Sequence, residues 1–589
     1  MTHWIKRTVL WLLLGGLALA ISLQTQAAGT TPAAAAQADA PIRAAELLLP
    51  GQLVVRLTPA AAAAWRQHGR LPALAGLNEA YRVTAVSPLL AGAAEAATAG
   101  PLADVFLLTV PRSVDLWQMA ADYAAHPAVV YAEANQRVWL WDVPGAAPDA
   151  TADPNYALQW SLNNTGQTGG TPDADIDMDE VYTFLAGSPP VYDPIIAVLD
   201  TGIELNHPDL DAKLLPGYDF VSRDNDPSDT DGHGTGTASV VAAETDNGVG
   251  MAGVCPNCLI RPFRVGTWVV HFGSVEVARG IYYAAHPGYG NADIISMSLG
   301  GFCSDLWADA VNYAYNQDVL MVAAAGNYTG PVVVFPAKFE RVMAISATDH
   351  NDDVPTWSAF GSSIDVAAPG QDVPVADRGG SYDTMTGTSS ATPHVAGLAG
   401  LLLGQNPSLS NDQLRQIIRA YAQNLGLPGF DWFYGYGRIN AYETILQAQN
   451  PPGSTYDPGP DICTPLALLA DLPGSPAAKE ALAAVTPALA ETALAADAAA
   501  QLQRHKAQIA ALVLANPPLR QQLTAWLNAG TPLLQAWAAG EPATLDAAFA
   551  RQTATLYHSL RAVANPELQR ALDALWLRLD LETAVGRPI

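Results

Sequence analysis

Positive charge is scarce in this chain. Its 589 residues include 29 Lys and Arg against 56 Asp and Glu, a formal net charge of −27, and only 14% of positions are charged. So acidic a chain repels phosphate backbones, which argues against nucleic-acid binding through a broad basic face. Cysteine is scarcer still. Cys255, Cys258, Cys303 and Cys463 are the whole set, too few for disulfides to be the framework of the fold. Cys255-Pro-Asn-Cys258 has the spacing of half a zinc site, but no second ligand pair lies nearby, and a redox pair needs another context. In an exported chain a local Cys255–Cys258 disulfide is the expectation, while Cys303 and Cys463 are left open as a pair or as free thiols. Long apolar runs are missing after the N-terminus, which leaves no candidate membrane span there. Hydrophobic residues themselves are plentiful, at 50%, enough for full-sized cores and too many for a largely disordered chain.

The N-terminus reads as an export signal over residues 1–28. Lys6 and Arg7 precede an apolar run from Val9 to Ile21, followed by small residues around Ala27 and Ala28. The run is shorter than the roughly 20 residues a bilayer span needs. A secreted or periplasmic protein is therefore expected, with no membrane span after signal removal. Residues 42–141 read as a small α+β module, with strands at Gln52–Leu57 and Ala128–Glu133 around Ala- and Leu-rich helical stretches. From 153 to 448, short apolar runs alternate with helical patterns at 195–199, 294–298, 319–325 and 342–347, the signature of a parallel α/β sheet covered on both faces. A Pro- and Gly-rich linker at 449–462 leads to an Ala- and Leu-rich, all-α C-terminal region, 463–589.

Three segments carry reactive side chains where strands end or helices begin. Ile195-Ile-Ala-Val-Leu-Asp200-Thr-Gly is a buried strand finishing in an acid. Asp231-Gly-His233-Gly-Thr-Gly opens an apolar helix with a histidine. Gly387-Thr-Ser389-Ser-Ala-Thr-Pro-His puts a serine at a helix mouth, where the dipole and free N–H groups favour developing negative charge. Taken alone, each has a structural explanation as a cap, turn or packing residue. Asp, His and Ser together form an acyl-transfer set: histidine takes the serine proton, and aspartate fixes the histidine tautomer. A fourth segment, Met321-Val-Ala-Ala-Ala-Gly-Asn327, ends a strand with a carboxamide able to donate to an oxyanion.

These four segments, in this order and spacing, resemble the subtilisin-type (subtilase) serine proteases, nearest to the thermitase-like branch. The resemblance covers roughly residues 153–448. It implies a three-layer subtilisin-like α/β catalytic domain, a triad of Asp200, His233 and Ser389, and Asn327 as oxyanion donor with the Ser389 backbone N–H. It implies protein or peptide substrates paired along Ser298, Leu299 and Gly300. It implies that Ala324, Ala325 and Gly326 form one wall of the P1 pocket with Val334 near its floor, from which a preference for small or medium apolar P1 residues over large aromatics is expected. His207 and His394 are expected to pack and hydrogen-bond outside the triad. Gly236 and Ser390 depart from the common family pattern, which often has a second His or a bulky residue at the first position and a Met at the second.

The same resemblance implies structural Ca²⁺. One set comprises Asp153, Asp209 and Asn247 with backbone carbonyls around Glu244, Val249 and Met251, and a second comprises Asp219, Asp224 and Asp226; hard oxygen donors suit this ion. Pro50-Gly-Gln-Leu-Val-Val-Arg-Leu57 and Tyr131-Ala-Glu-Ala-Asn135 resemble the inhibitor-like propeptide of the family. This implies a self-processing precursor whose own pro-segment is an intramolecular inhibitor. The rival expectation is a non-catalytic secreted scaffold that binds a partner through its helical tail.

Overall fold

The computed structural model describes residues 48–69, 71–90, 100–140, 143–144, 153–267, 272–327, 333–449 and 451, and, towards the C-terminus, 547–564 with 519, 522, 569 and 572. The expected signal, nearly all of the linker at 449–462 and most of the 463–589 region lie outside the described residues. Within that region Ala547–Val563 is a helix.

The first module is built from β1 (Leu48–Leu57), α1 (Pro59–His68), α2 (Ala75–Ala80), β2 (Ala85–Pro88), β3 (Val105–Thr109), α3 (Leu116–Ala124) and β4 (Val129–Leu140), followed by the two-residue β5 (Val143–Pro144). Its helices begin where the sequence supplies caps. Thr58 accepts from Ala61 N before α1, and Asp115 accepts from Trp117 N and Gln118 N before α3, each cap being worth about 1 kcal/mol. Strand β1 lies between β3 and β4, antiparallel to both. This is the α+β module the sequence implies.

The second region contributes α4 (Met178–Gly187), β6 (Ile195–Asp200), β7 (Tyr218–Asp219), α5 (His233–Ala242), β8 (Leu259–Arg264), β9 (Phe272–Gly273), α6 (Ser274–Ala285), β10 (Ile294–Met297), β11 (Leu299–Gly300) and α7 (Asp305–Asn316). It continues with β12 (Leu320–Ala324), β13 (Met343–Thr348), β14 (Ile364–Pro369), β15 (Val373–Asp377), β16 (Ser381–Thr386), α8 (Thr388–Gln405), α9 (Asn411–Ala420) and α10 (Ala441–Ile445). Seven of the strands form one sheet in the order β14-β13-β12-β10-β6-β8-β7, with every neighbouring pair parallel. Alternation along β6 shows why both faces are covered. Ile196 and Val198 join one core with α5 and α8, while Ala197 and Leu199 join the other with α6 and α7. Full burial of each such Val, Leu or Ile contributes about 1.5–3 kcal/mol. The result is the expected three-layer α/β arrangement.

Two features fix where α8 lies. Every one of its residues is buried, and its glycines admit close neighbours: a Cβ at Gly400 would fall 2.3 Å from Cys258 Sγ, and one at Gly397 2.7 Å from Val254 Cβ. Cys255 and Cys258 form the expected local disulfide. Cys303 is also disulfide-bonded, and Cys463, the remaining cysteine, lies outside the described residues.

The two regions share strands and helix caps. Beyond its own module, β4 pairs antiparallel with β9 and β11, and β5 pairs with β16. Glu133 accepts from Ser304 Oγ at 2.6 Å, Asp305 N at 3.1 Å and Leu306 N at 3.4 Å, at the N-terminus of α7. Asn135 Oδ1 accepts from Ser274 Oγ at 2.8 Å and Val275 N at 3.4 Å, at the start of α6. Both acceptors meet the positive ends of helix dipoles. Arg56 and Tyr131 both reach Asp309.

Candidate active site

Strand β6 ends in Asp200 beside β10, where the strand order runs away in both directions from the β6–β10 pair. In open α/β sheets the crevice at such a switch point, beyond the carboxyl ends of the strands, is where functional groups gather. Helix α5 starts there with His233. A Cβ at Gly234 would lie 2.0 Å from Gly202 O, so glycine at that position is what lets the helix start press against the end of β6. His233 Nδ1 lies 2.7 Å from Asp200 Oδ1, with both groups buried. Asp200 also accepts from Thr201 N at 2.7 Å and Thr237 Oγ1 at 3.5 Å. A carboxylate so fixed holds the imidazole in the tautomer with its proton on Nδ1, leaving Nε2 the basic atom.

Ser389 is the second residue of α8 and is fully buried. Helix α8 packs against α5. Ser389 Oγ donates to Ser298 O at 3.3 Å, and Ser298 Oγ donates to Ser389 O at 2.8 Å, tying the helix mouth to the segment after β10. Asn327, three residues beyond β12, turns its Oδ1 toward Thr388, accepting from N and Oγ1 at 2.9 Å each. Those two bonds fix which way the amide faces. They leave Nδ2 buried without a hydrogen-bond partner among the described residues, at a cost of about 1–3 kcal/mol. A donor held unpaired beside a serine at a helix N-terminus is suited to an oxygen that gains charge during reaction.

The expected substrate-side residues surround this point. Leu299 and Gly300 are β11, and Ser298 precedes them. Ala324, Ala325 and Gly326 run from the end of β12 to the α8 mouth, with Ala325 N donating to Ile345 O at 3.0 Å and Gly326 N to Thr388 Oγ1 at 3.1 Å. Val334 N donates to Ala325 O at 3.0 Å, so Val334 lies alongside that wall. His207 donates to Ser381 O and accepts from Asp209 N. His394 bonds to Ser390 O through Nδ1, and burial lowers its pKa to about 4, which keeps it neutral. At Gly236 the room a larger residue would use is taken by Met385, whose Cε would lie 2.5 Å from an added Cβ.

Sequence reasoning missed Asp229. This buried acid accepts from Thr201 Oγ1 at 2.9 Å and Thr235 Oγ1 at 2.7 Å, and from the N–H groups of Asp231 and Gly232 at 2.9 and 3.1 Å, binding the loop before His233 to the end of β6. Its place two residues before Asp231-Gly-His233 is an Asx-turn signal, but a turn acid alone does not say which threonines it meets.

The two proposed calcium sets differ in fit. Asp209 is buried and accepts from Asn247 Nδ2 at 2.9 Å and Met251 N at 2.8 Å, its own carbonyl accepts from Glu244 N at 2.9 Å, and Asn247 Oδ1 accepts from Val249 N at 2.7 Å. An acid, an amide and looped backbone therefore come together, so hard oxygens of the kind Ca²⁺ prefers are present, already engaged by N–H groups. Asp153 opens a short 3₁₀ turn, and its side chain lies outside the described residues. The second set does not fit. Arg264 Nη1 lies 2.7 Å from Asp219 Oδ2, and Val221 N and Ser222 N donate to Asp219 Oδ1 at 2.7 and 2.9 Å. A guanidinium thus stands where the cation would be. Asp224 and Asp226 cap their own turns. Among the described residues no three or more His, Cys, Asp or Glu side chains converge as a metal group.

A buried Asp–His pair, a serine at a helix mouth and a directed carboxamide define the serine-type peptide hydrolases, and comparison with known proteins gives the same class. The profile of the subtilase family matches residues 192–437. Thermitase of Thermoactinomyces vulgaris is 42% identical over 259 residues, covering 42% of this chain and 88% of thermitase. A thermophilic serine proteinase of Bacillus sp. (strain AK1) is 39% identical over 298 residues, covering 50% of this chain and 72% of that protein. The crystal structure of fervidolysin from Fervidobacterium pennivorans, described as a keratinolytic enzyme related to subtilisin, shares the fold at a TM-score of 0.54 and 22% identity, covering 68% of this chain and 61% of that one. The chain belongs to the subtilase family of serine proteases.

Proposed function

We propose that this subtilase is an exported, self-processing endopeptidase in which Asp200, His233 and Ser389 act as the triad and Asn327 as the oxyanion donor. The observation that carries the reading is the Asn327 amide, fixed by Thr388 with a buried N–H that has no partner among the described residues. In the reaction His233 Nε2 accepts the Ser389 proton as Oγ attacks the peptide carbonyl. Asp200 supports the imidazolium, and the Asn327 amide with the Ser389 N–H stabilises the tetrahedral oxygen. His233 then protonates the leaving amine, and water releases the acyl group. A fluorophosphonate probe applied to the processed protein tests this: one adduct on Ser389 is expected, and labelling elsewhere or not at all would end the assignment. Residues 1–28 are the signal, 42–141 the inhibitor-like pro-segment, 153–448 the peptidase domain and 463–589 a helical domain after the 449–462 linker. Substrates are proteins and peptides laid along Ser298, Leu299 and Gly300.

The pro-segment reading carries a pH dependence. Burial, with Asp305 nearby, pushes Glu133 up to about 8, against the hydrogen bonds from Ser304, Asp305 N and Leu306 N. Asp309, facing Arg56 and Tyr131, is raised to about 6, chiefly by burial. A carboxyl whose pKa is higher in the complex than in the separated partners takes up a proton on binding. Inhibition is therefore fully present below the ordinary carboxylate range and is lost as pH rises through about 8. For a pro-segment added in trans, the inhibition constant should weaken about tenfold per pH unit between roughly 6 and 8, and more steeply between about 5 and 6, where Asp309 also titrates. Glu133→Gln should flatten the profile; a profile already flat in the unaltered protein would refute the linkage.

Calcium at the Asp209 set should act as a structural ligand. An excess of about 100 times Kd adds about 2.7 kcal/mol, so removal by a chelator should lower Tm by about 5–10 °C. An unchanged Tm would remove the site.

A further inference from the structure

The three elements that carry Asp200, His233 and Ser389 meet a second time around one disulfide, about 16 Å along α8 from Ser389. Cys255 and Cys258 are bonded to each other and wholly buried. Their loop is tied to the last turn of α5, with Val254 N donating to Val240 O at 3.0 Å and Cys255 N to Val241 O at 2.9 Å. It runs straight into β8, whose first residue, Leu259, lies opposite Ile195 at the start of β6. On its other side is α8. A Cβ at Gly400 would stand 2.3 Å from Cys258 Sγ, 3.1 Å from Cys255 Sγ and 3.1 Å from Ile196 Cδ1. One turn earlier, a Cβ at Gly397 would meet Val254 Cβ at 2.7 Å and Val241 O at 3.1 Å. The sulfurs thus fill the space between β6, α5 and α8 that a side chain at position 400 would otherwise take. Because the two cysteines are only three residues apart, the gain from constraining the unfolded chain is at its smallest here. What the bond does lies in how it packs.

We propose that the Cys255–Cys258 disulfide is the spacer that sets α8 against α5 and β6, so that its formation makes the chain catalytically competent. The inference rests on Asp200, His233 and Ser389 acting as the triad. Both cysteines are positioning residues and neither touches substrate. Two free thiols need more room than one bonded pair, and an interior at crystal density does not yield that room without moving its walls. The wall that moves is α8, and a shift of about 1 Å between Ser389 and His233 costs about 100-fold in turnover. The activating step is a dithiol oxidation by exchange. A small-molecule disulfide such as oxidised glutathione takes up the two electrons and two protons that the cysteines lose, and its halves leave as two thiols. A chain held reduced before export therefore works at a small fraction of its rate, and an oxidising compartment switches it on.

The test compares the full-length chain as wild type, Cys255→Ala/Cys258→Ala, Gly400→Ala and the triple variant, each freed of its pro-segment in trans and checked for fold by circular dichroism. The double variant leaves a gap beside Gly400, and its kcat should fall about 10- to 100-fold with KM within about twofold of wild type. Gly400→Ala alone sets a methyl against the sulfurs and should lose at least as much. Combined, the methyl enters the gap, and kcat should return to within about threefold of wild type, a reversal of sign that two independent defects cannot give. Refolded in glutathione alone, wild type should be about 100-fold slower than with glutathione disulfide added. The triple variant, which keeps Cys303, should be equally active in both. A double variant with wild-type kcat, a triple no better than the double, or a triple as redox-sensitive as wild type overturns the proposal. Labelling of Ser389 in the wild type separates the two readings. If it is absent from the oxidised wild type, the triad falls and the spacer with it; if it is present while all variants match wild type, only the spacer falls.

Discussion

Ser389→Ala, freed of its pro-segment by a second protease acting in trans, should hydrolyse a peptide substrate about 10⁶-fold more slowly than the wild type. That size is the one measured for subtilisin, a relative in this family, and is borrowed from it. The reason for so large a loss lies in the geometry. With Oγ gone, the proton path through His233 has nothing to activate, and Asp200 orients an imidazole without a substrate for its base. Only binding and the oxyanion donors would remain, so a residual rate about 10³–10⁴ above water is expected. His233→Ala should fall nearly as far, and the double variant little further, because the two act as one unit. A Ser389→Ala chain that keeps more than about 1% of turnover would remove the triad assignment.

Asn327→Ala should lower kcat by about 10²–10³ while leaving KM close to its wild-type value. That range is also the measured one for the equivalent donor in subtilisin. The prediction for this chain comes from which bonds exist before reaction. Asn327 Oδ1 is already engaged by Thr388 N and Oγ1, whereas buried Nδ2 has no partner among the described residues. An interaction absent in the resting site and made only as the oxyanion forms appears in kcat, not in KM. Stability should fall as well, since truncation also removes the Oδ1 that accepts from Thr388 N and Oγ1 and leaves those buried donors unpaired. A loss shared equally between kcat and KM would mean that Asn327 binds ground-state substrate, and a variant within threefold of wild type would exclude it from the site.

Much of this architecture can be read along the chain, because buried parallel strands write themselves as uninterrupted apolar runs. The runs at 195–199, 294–298, 319–325 and 342–347 are β6, β10, β12 and β13 to within a residue or two. The helix start at His233 was legible from the polar loop before an apolar, small-residue run, and the one next to Ser389 from the glycine turn that leads into it. Strand β14 was not, because Ile364-Asp-Val-Ala-Ala-Pro has an acid in its interior. That acid, Asp365, is fully buried and tolerable only because Arg415 and Arg419, from a helix fifty residues on, reach it at 2.7 and 2.5 Å and Ala344 N donates to it. Burial alone would raise its pKa, yet the two guanidiniums hold it below the usual carboxylate value. Charge compensation across such a distance has no local signature. The Asp219 set failed for the same reason: acid spacing was visible, but Arg264 at the end of β8 was not.

On the proposed pro-segment reading, strand β4, which pairs with β9 and β11, keeps inhibitor and enzyme parts of one polymer until the connection is cut. While it is whole, the pro-segment stands at an effective concentration set by the chain itself, in the millimolar range for short connections, and dilution cannot weaken it. After cleavage the same surfaces form an ordinary two-body complex whose occupancy falls as the protein spreads out. Activity should therefore appear late in a concentrated suspension and early in a dilute one, so that the distance travelled from the producing cell becomes the timer.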